Sequence, residues 1–184
     1  YRWLQDSFTV LCDAERNPLA RIGSLRDISD RKRADAERNA LLEIMQGIAV
    51  TKDLQEILAL VHRSIARLVA AKNFFVIFYN QETGLFEEVY SVDQYDPPAP
   101  PSRLDKSITA YVYHTGKPLI ITQELFDELE ANGEVELVGT NSASWMGAPL
   151  NTPDGPIGVM AVQDYETTGC YTESDKDFLA HIGS

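Results

Sequence analysis

Three histidines are the first side chains of this 184-residue chain to consider for metal, haem or phosphoryl chemistry. His62 lies inside a strongly amphipathic helical pattern. A phospho-accepting histidine usually precedes an acidic residue and has a proline nearby, whereas Ile182 and Gly183 follow His181, which argues against that role. His114 lies two residues before a glycine that ends a predicted helix, where a histidine suits the negative end of the helix dipole. A pocket or haem-ligand role for His114 is the alternative.

The two cysteines, Cys12 and Cys170, lie far apart in the sequence and form neither a CxxC pair nor a Cys/His ligand pattern. This spacing provides no disulfide framework and favours a reducing, cytoplasmic location. We expect Cys12 to be a small buried hydrophobic side chain.

The sequence carries no recognisable nucleophile elbow, Walker loop, HExxH motif or pair of catalytic carboxylates. An acidic cluster could bind a cation, but it lacks EF-hand spacing, so a solvated helix face is the favoured interpretation. The cluster comprises Glu124, Asp127, Glu128 and Glu130. We therefore predict that this chain is not itself an enzyme.

The net charge of −12 argues against nucleic acid as a partner, because phosphate binding depends on Lys and Arg. Between Pro118 and Asp175 the chain has eleven acidic residues and no basic one. A phosphate-bearing ligand is disfavoured in that half, while apolar or aromatic small molecules remain open. No apolar run approaches 18 residues, so no transmembrane helix and no membrane contact are predicted.

The elements that must position these residues begin with a β-hairpin over residues 1–28 and a helix from Asp30 to Val50. One side of that helix is apolar, so it either projects into the next domain or pairs with its own copy in a dimer. The residues expected at this seam are Ala34, Leu41, Met45 and Ile48. We predict a homodimer through this connector helix.

A mixed α+β pattern follows the connector. The helix after Asp53 has a capping-box spacing, and residues 73–80 read as a strand buried on both faces. Further strands are expected over 85–93, 117–122, 142–150 and 155–166, with helices over 105–116 and 171–184. Residues 123–133 are expected to form an acidic helix or an ordered loop. Four prolines between residues 97 and 101 mark a long loop, which is typical of lids or linkers.

Two parts of the chain resemble known signalling families. The stretch "GSLRDISDRKRADAE" resembles the end of a PAS domain and its exit into a signalling helix. The stretches "SITAYVYHTGKPLIIT", "SWMGAPL", "GPIGVMAVQDYE" and "YTESDKDFLAHIGS" resemble a GAF domain. The predicted organisation is a truncated PAS hairpin over 1–28, a connector helix over 29–50 and a GAF domain over 40–184, cut from a longer protein at both ends.

The resemblance implies an antiparallel sheet of about six strands, with helices on one face and a ligand-type pocket on the other. Candidate pocket residues, each with plain core packing as the alternative, are Phe78, Tyr90, Tyr111, His114, Trp145, Met146 and Met160. Bilin-binding GAF domains typically carry a Cys-His dipeptide, and cyclic-nucleotide-binding ones an Asn-Lys-Phe-Asp-type motif. This chain has neither motif, so neither cofactor is expected, and the ligand is left unidentified.

The resemblance implies a non-catalytic sensory module of a bacterial signal-transduction protein. The parent would be a histidine kinase, or a diguanylate cyclase or phosphodiesterase. The module would bind a small molecule or a partner and relay its state through flanking helices at a dimer interface. One alternative is a purely structural dimerisation domain with a filled core. A more remote one is a redox enzyme that reduces free methionine sulfoxide, which would need several close cysteines.

Overall fold

The computed structural model describes residues 2–184, which divide into one compact unit ending at Ala40 and another covering Leu41–Ser184. The first unit begins with strands β1 (Leu4–Cys12) and β2 (Pro18–Asp27), paired antiparallel as a two-stranded sheet. This confirms the predicted hairpin. Its turn is closed by Asp13, whose carboxylate accepts hydrogen bonds from the backbone and side chain of Asn17. Helix α1 (Ser29–Val50) follows.

Cys12 is exposed on this hairpin, so the expectation that it would be buried is wrong. All residues of β1 and β2 are exposed, and a two-stranded sheet has no second layer within itself to cover a side chain.

The second unit is an α+β domain built on one antiparallel sheet with the order β4-β3-β7-β6-β5. Its strands are β3 (Asn73–Asn80), β4 (Leu85–Val92), β5 (Leu119–Ile121), β6 (Ser144–Thr152) and β7 (Gly155–Asp164). Its helices beyond α1 are α2 (Leu54–Ile65), α3 (Ile108–Thr115), α4 (Gln123–Ala131) and α5 (Glu173–Ile182). The fold class predicted from the sequence is confirmed.

The sheet has five strands in the described residues, one fewer than the number of about six implied by the resemblance. Residues between β4 and α3 pair with the sheet only through an isolated bridge from Ser102 to Phe86. Four prolines in this loop cannot donate backbone hydrogen bonds, so they cannot extend a ladder.

Helices α2 and α5 begin where the sequence predicted them, because short polar side chains cap them. Asp53 accepts hydrogen bonds from two backbone N–H groups in the first turn of α2. Thr172 and Asp175 form the predicted capping box of α5, each accepting from the other's backbone N–H.

Side chains alternate across the sheet, and both of its faces are buried. On one face, Phe74, Met146 and Met160 are fully buried on the side where α2 and α5 pack. On the other face, Ile77 and Trp145 belong to a hydrophobic cluster that includes Val112 of α3. The second face also carries the candidate site described below.

Strands β3 and β7 approach closely at Gly158, which pairs with Phe78. A Cβ atom built on Gly158 would lie 2.2 Å from the backbone oxygen of Ile77, a distance that no side-chain rearrangement relieves.

We therefore expect Gly158→Ala to lower the free energy of unfolding by about 1–3 kcal/mol. Urea denaturation measures this. Ile157→Ala is the control, because Ile157 is 40% exposed beside it. An equal effect of both changes would contradict the explanation.

Candidate functional site

A cavity of about 440 Å³ lies on the α3 face of the sheet. Its floor is formed by side chains of adjacent strands, among them Phe75, Ile77, Trp145 and Gln163. These residues share one face because Phe75 and Ile77 are two apart on β3, while Trp145 and Gln163 are directly paired across β6 and β7. The volume falls in the range of small-molecule sites.

The cavity walls come from α3, α4 and two loops. Ile108 contributes from the start of α3, Leu104 from the segment before it, and Phe126 from α4. The loop over residues 93–103 supplies acidic and proline side chains, and the loop over residues 136–143 closes the other side. The lining is thus largely apolar, with polar groups concentrated near β4 and the loop after it.

Among the sequence-predicted pocket residues, Trp145 lines the cavity, and the lining includes none of the others. Met146 and Met160 are fully buried on the opposite face of the sheet. Phe78 also lies on that opposite face, because it is one residue out of phase with Ile77. The sequence could not separate the two faces, since both are apolar on the central strands.

Tyr90 belongs to an aromatic cluster on the face opposite the cavity. Its ring packs edge-on against Phe74 and His62, and the His62 ring stacks on Phe74 with 4.8 Å between centroids. Nε2 of His62 lies 2.7 Å from the backbone oxygen of Ala71, so His62 connects the end of α2 to the segment just before β3. On α3, Tyr111 is half-buried and His114 is exposed, both outside the cavity lining.

A hydrogen-bond network centred on Asp93 lies at the polar end of the cavity. The carboxylate of Asp93 accepts from the side chains of Gln163 and Tyr165 at 2.7–3.0 Å, and from the backbone N–H groups of Tyr95 and Asp96. Partial burial acts to raise the pKa of Asp93, but these donors outweigh it and hold the pKa below its ordinary value. Burial and the neighbouring carboxylates raise the pKa of Tyr165, so it stays a neutral donor.

Asp96 connects the two loops that border the cavity. Its carboxylate accepts hydrogen bonds from the backbone N–H of Thr140 at 3.0 Å and from the Thr140 hydroxyl at 2.7 Å. Gly139, with a left-handed φ of 79°, lets the carboxylate approach, since a Cβ there would lie 2.9 Å from Asp96 Oδ2. One carboxylate therefore holds the two loops together.

Glu88 on β4 also lines the cavity, and unlike Asp93 and Asp96 it has a buried carboxylate oxygen without a hydrogen-bond donor. Its Oε1 atom is buried without a hydrogen-bond partner. Burial raises the pKa of Glu88, with a further contribution from the negative charges of Asp93 and Asp96, although Ser91 and the Ala99 N–H oppose the rise. Sequence reasoning missed Glu88 because "LFEEVYSVD" looked like an ordinary partly exposed strand. The polar residues in that stretch were the available signal.

A bulge in β4 explains why the pattern of this strand is hard to interpret. Val89 has no partner in the register, because Ile77 pairs with Glu88 and Val76 pairs with Tyr90. The bulge shifts the alternation by one residue, so that both Glu88 and Ser91 face the cavity.

The cysteines and acidic clusters provide no second candidate centre. Burial raises the pKa of the Cys170 thiol, which disfavours the thiolate that redox chemistry needs. Within residues 2–184, no three His, Cys, Asp or Glu side chains come together as a metal-binding group. Nor does any helix in that range have the length and apolarity needed to cross a bilayer.

The loop connection through Asp96 predicts a local effect of mutation. Asp96→Asn weakens two hydrogen bonds to a charged acceptor, so we expect amide exchange over residues 138–141 to accelerate about tenfold. Hydrogen–deuterium exchange with mass spectrometry measures this. Thr140→Val is the matched control, because it retains the backbone hydrogen bond to Asp96 and should show a smaller acceleration. Unchanged exchange in Asp96→Asn would contradict the proposed connection.

The lowered pKa of Asp93 predicts a specific pH dependence. A carboxylate whose folded pKa lies below its unfolded value of 3.8 adds stability above pH 3.8 and loses that contribution as pH falls through the folded pKa. We expect urea unfolding between pH 6 and pH 2 to show a smaller pH-dependent loss in Asp93→Asn than in the wild type. Parallel curves for the two proteins would refute this explanation. Glu82→Gln, at an exposed turn, serves as the control.

Comparisons with known proteins agree with this architecture. The family model described as "GAF domain" matches residues 51–184. The GAF domain of an Acinetobacter phosphoenolpyruvate-protein phosphotransferase is similar at a TM-score of 0.63 and 15% identity, covering 83% of this chain and 89% of the other. Free methionine-R-sulfoxide reductase from Neisseria meningitidis is similar at a TM-score of 0.63 and 14% identity, covering 80% and 83%.

A third similar structure is the chromophore-binding domain of the Stigmatella aurantiaca bacteriophytochrome. It has a TM-score of 0.58 and 13% identity and covers 96% of this chain and 67% of the other. A sequence search of curated proteins finds no match. At these identities the structural likenesses concern the fold alone. The family match covers most of the chain, and the chain belongs to the GAF domain family.

Proposed function

We propose that this GAF domain is a non-catalytic sensory module that binds a small organic molecule in the cavity over Trp145. The observation that carries the proposal is the cavity itself, which has the size of a ligand site and an apolar floor. Two loops border it and are joined through Asp96 and Thr140, so a bound molecule would contact groups that hold the loops together. Occupancy would then bias the loop arrangement.

The proposed output runs through α1 to a second copy of the chain. The apolar stripe of α1, formed by Ala34, Leu41, Met45 and Ile48, has spacings of seven, four and three residues, as in a coiled-coil seam. Met45 is 67% exposed and Ile48 is 52% exposed. A second copy of α1 would cover this stripe and produce a parallel or antiparallel dimer.

The adjoining side of the same helix segment is already in use within the Leu41–Ser184 unit. Ile44 is buried, and Glu43 forms an ion pair with Arg67, which follows α2. The second half of α1 therefore has one side packed on its own domain and another available to a partner copy, which is the arrangement needed to pass a change in the domain to a dimer seam.

The wider setting is part of the same proposal. The similar GAF domain of a bacterial phosphotransferase and the similar chromophore-binding domain of a bacteriophytochrome support a bacterial cytoplasmic signalling protein as the parent, together with the PAS-like stretch before α1. A histidine kinase, or a diguanylate cyclase or phosphodiesterase, would be its output. Reduction of free methionine sulfoxide is disfavoured here, because burial raises the pKa of the half-buried Cys170 thiol.

The ligand proposal predicts that the purified chain retains or takes up a small molecule. Native mass spectrometry should show added mass that denaturing conditions remove. In the Trp3→Phe variant, Trp145 is the single tryptophan, so its fluorescence reports on the cavity alone. Glu82→Gln, at an exposed turn outside the lining, is a control for unrelated mass changes. A clean apo mass and no fluorescence response to a metabolite library would favour the purely structural alternative.

The dimer proposal predicts a mutation-sensitive assembly. Light scattering at tens of micromolar should give twice the mass of one chain. Met45→Glu places a charge in the apolar stripe and should shift the equilibrium to monomer by a factor of about ten or more. Gln46→Glu adds the same charge to the next, exposed residue off the stripe and should leave the dimer intact. A monomeric wild type, or equal effects of both changes, would contradict the proposal.

A further inference from the structure

The charged side chains that line the cavity, among residues 2–184, are all acidic. Its lining contains the carboxylates of Glu88, Asp93, Asp96 and Glu136, and among residues 2–184 no lysine, arginine or histidine lines it. Glu136 forms an exposed ion pair with Lys106 at 3.0 Å, so a cation lies beside this carboxylate just outside the lining. The other three carboxylates lie on β4 and in the loop that follows it, at one end of the cavity.

Two of these three carboxylates already have their hydrogen-bond donors from the protein. Asp93 accepts from Gln163, Tyr165 and two backbone N–H groups, and Asp96 accepts from Thr140. These donors are neutral, so they orient the carboxylates without cancelling their charge. The result is a fixed negative potential at this end of the cavity.

Glu88 differs, because its buried Oε1 atom has no donor. A buried acceptor without a partner is unfavourable, and this one belongs to a side chain that lines the cavity. A ligand that brings a positively charged N–H donor would satisfy Oε1 and also neutralise part of the field from Asp93 and Asp96.

The uncharged part of the lining indicates the chemistry of the uncharged part of such a ligand. Three aromatic side chains, Phe75, Phe126 and Trp145, line the cavity, together with aliphatic residues such as Ile121 and Leu104. Apolar walls favour an organic body over a hydrated metal ion. Aromatic faces also attract organic cations.

We infer that the cavity binds a protonated amine with an apolar body, with Glu88 as its counter-ion and with Asp93 and Asp96 reinforcing the selection against anions. This inference rests on the proposed function and specifies the ligand class for the same site. Anionic metabolites such as organic acids and phosphates are excluded by the same charges.

The test uses three probes that share a phenylethyl body and differ in charge, namely 2-phenylethylamine, 2-phenylethanol and 3-phenylpropanoate. Calorimetric titration of the 184-residue chain at pH 7 should show the amine binding at least tenfold tighter than the alcohol or the acid. Trp145 fluorescence in the Trp3→Phe background assigns the binding to the cavity. Calcium chloride is a fourth probe and should not compete with the amine.

Glu88→Gln should reduce amine affinity about tenfold or more and leave alcohol affinity unchanged. Glu87→Gln is the matched control, because Glu87 is the preceding residue on β4, accepts a hydrogen bond from Asn80 and lies outside the cavity lining. Glu88→Met is a second variant, since its apolar side chain needs no buried donor and tests charge if Glu88→Gln misfolds. Retained amine affinity in folded Glu88→Gln or Glu88→Met would overturn the inference.

The two levels of proposal fail in different ways. Cavity binding of the alcohol or acid as tightly as the amine, or displacement of the amine by calcium, would overturn the ligand class while the sensory function stands. No binding by any probe, together with a clean apo mass, would count against both proposals.

Discussion

The structure depends on one geometric constraint, the alternation of side chains along an antiparallel sheet that is buried on both faces. A shift of one residue moves a side chain from the α2 and α5 side to the cavity side. Phe74 and Phe75 are neighbours in sequence, yet the first stacks on His62 and the second lines the cavity. The same alternation separates Trp145 from Met146. One sheet can therefore carry a packed core on one face and a cavity on the other.

The polar end of the cavity is organised by a second requirement, that buried backbone and side-chain polar groups find partners. The loop after β4 is rich in proline and adds no strand to the sheet, so its order depends on side-chain acceptors. Asp93 accepts from the backbone of the same loop, and Asp96 accepts from the loop opposite. The carboxylates that hold the loops in place also give the cavity its negative potential.

Helix α1 shows which features a local sequence pattern predicts and which it does not. The spacing of its apolar residues predicts the stripe, and Met45 on that stripe is exposed. The buried side of the helix, at Ile44, is part of the Leu41–Ser184 unit. Ile44 and Met45 are adjacent in the same apolar run, so composition does not distinguish the side packed within one domain from the side proposed for dimerisation.

The sequence by itself determined the features that depend on neighbours in the chain. The hairpin, the helix starts at Asp53 and Thr172 and the α+β class follow from turn residues, capping groups and periodicity, which act over a few residues. Only the tertiary structure decided which strand face borders the cavity. The β4 bulge at Val89 changes the alternation, and it exists only when β4 pairs with β3. For the same reason, only the assembled sheet and loops show that Glu88 carries a buried acceptor without a donor. In the sequence, Glu88 fits the pattern of an ordinary strand residue.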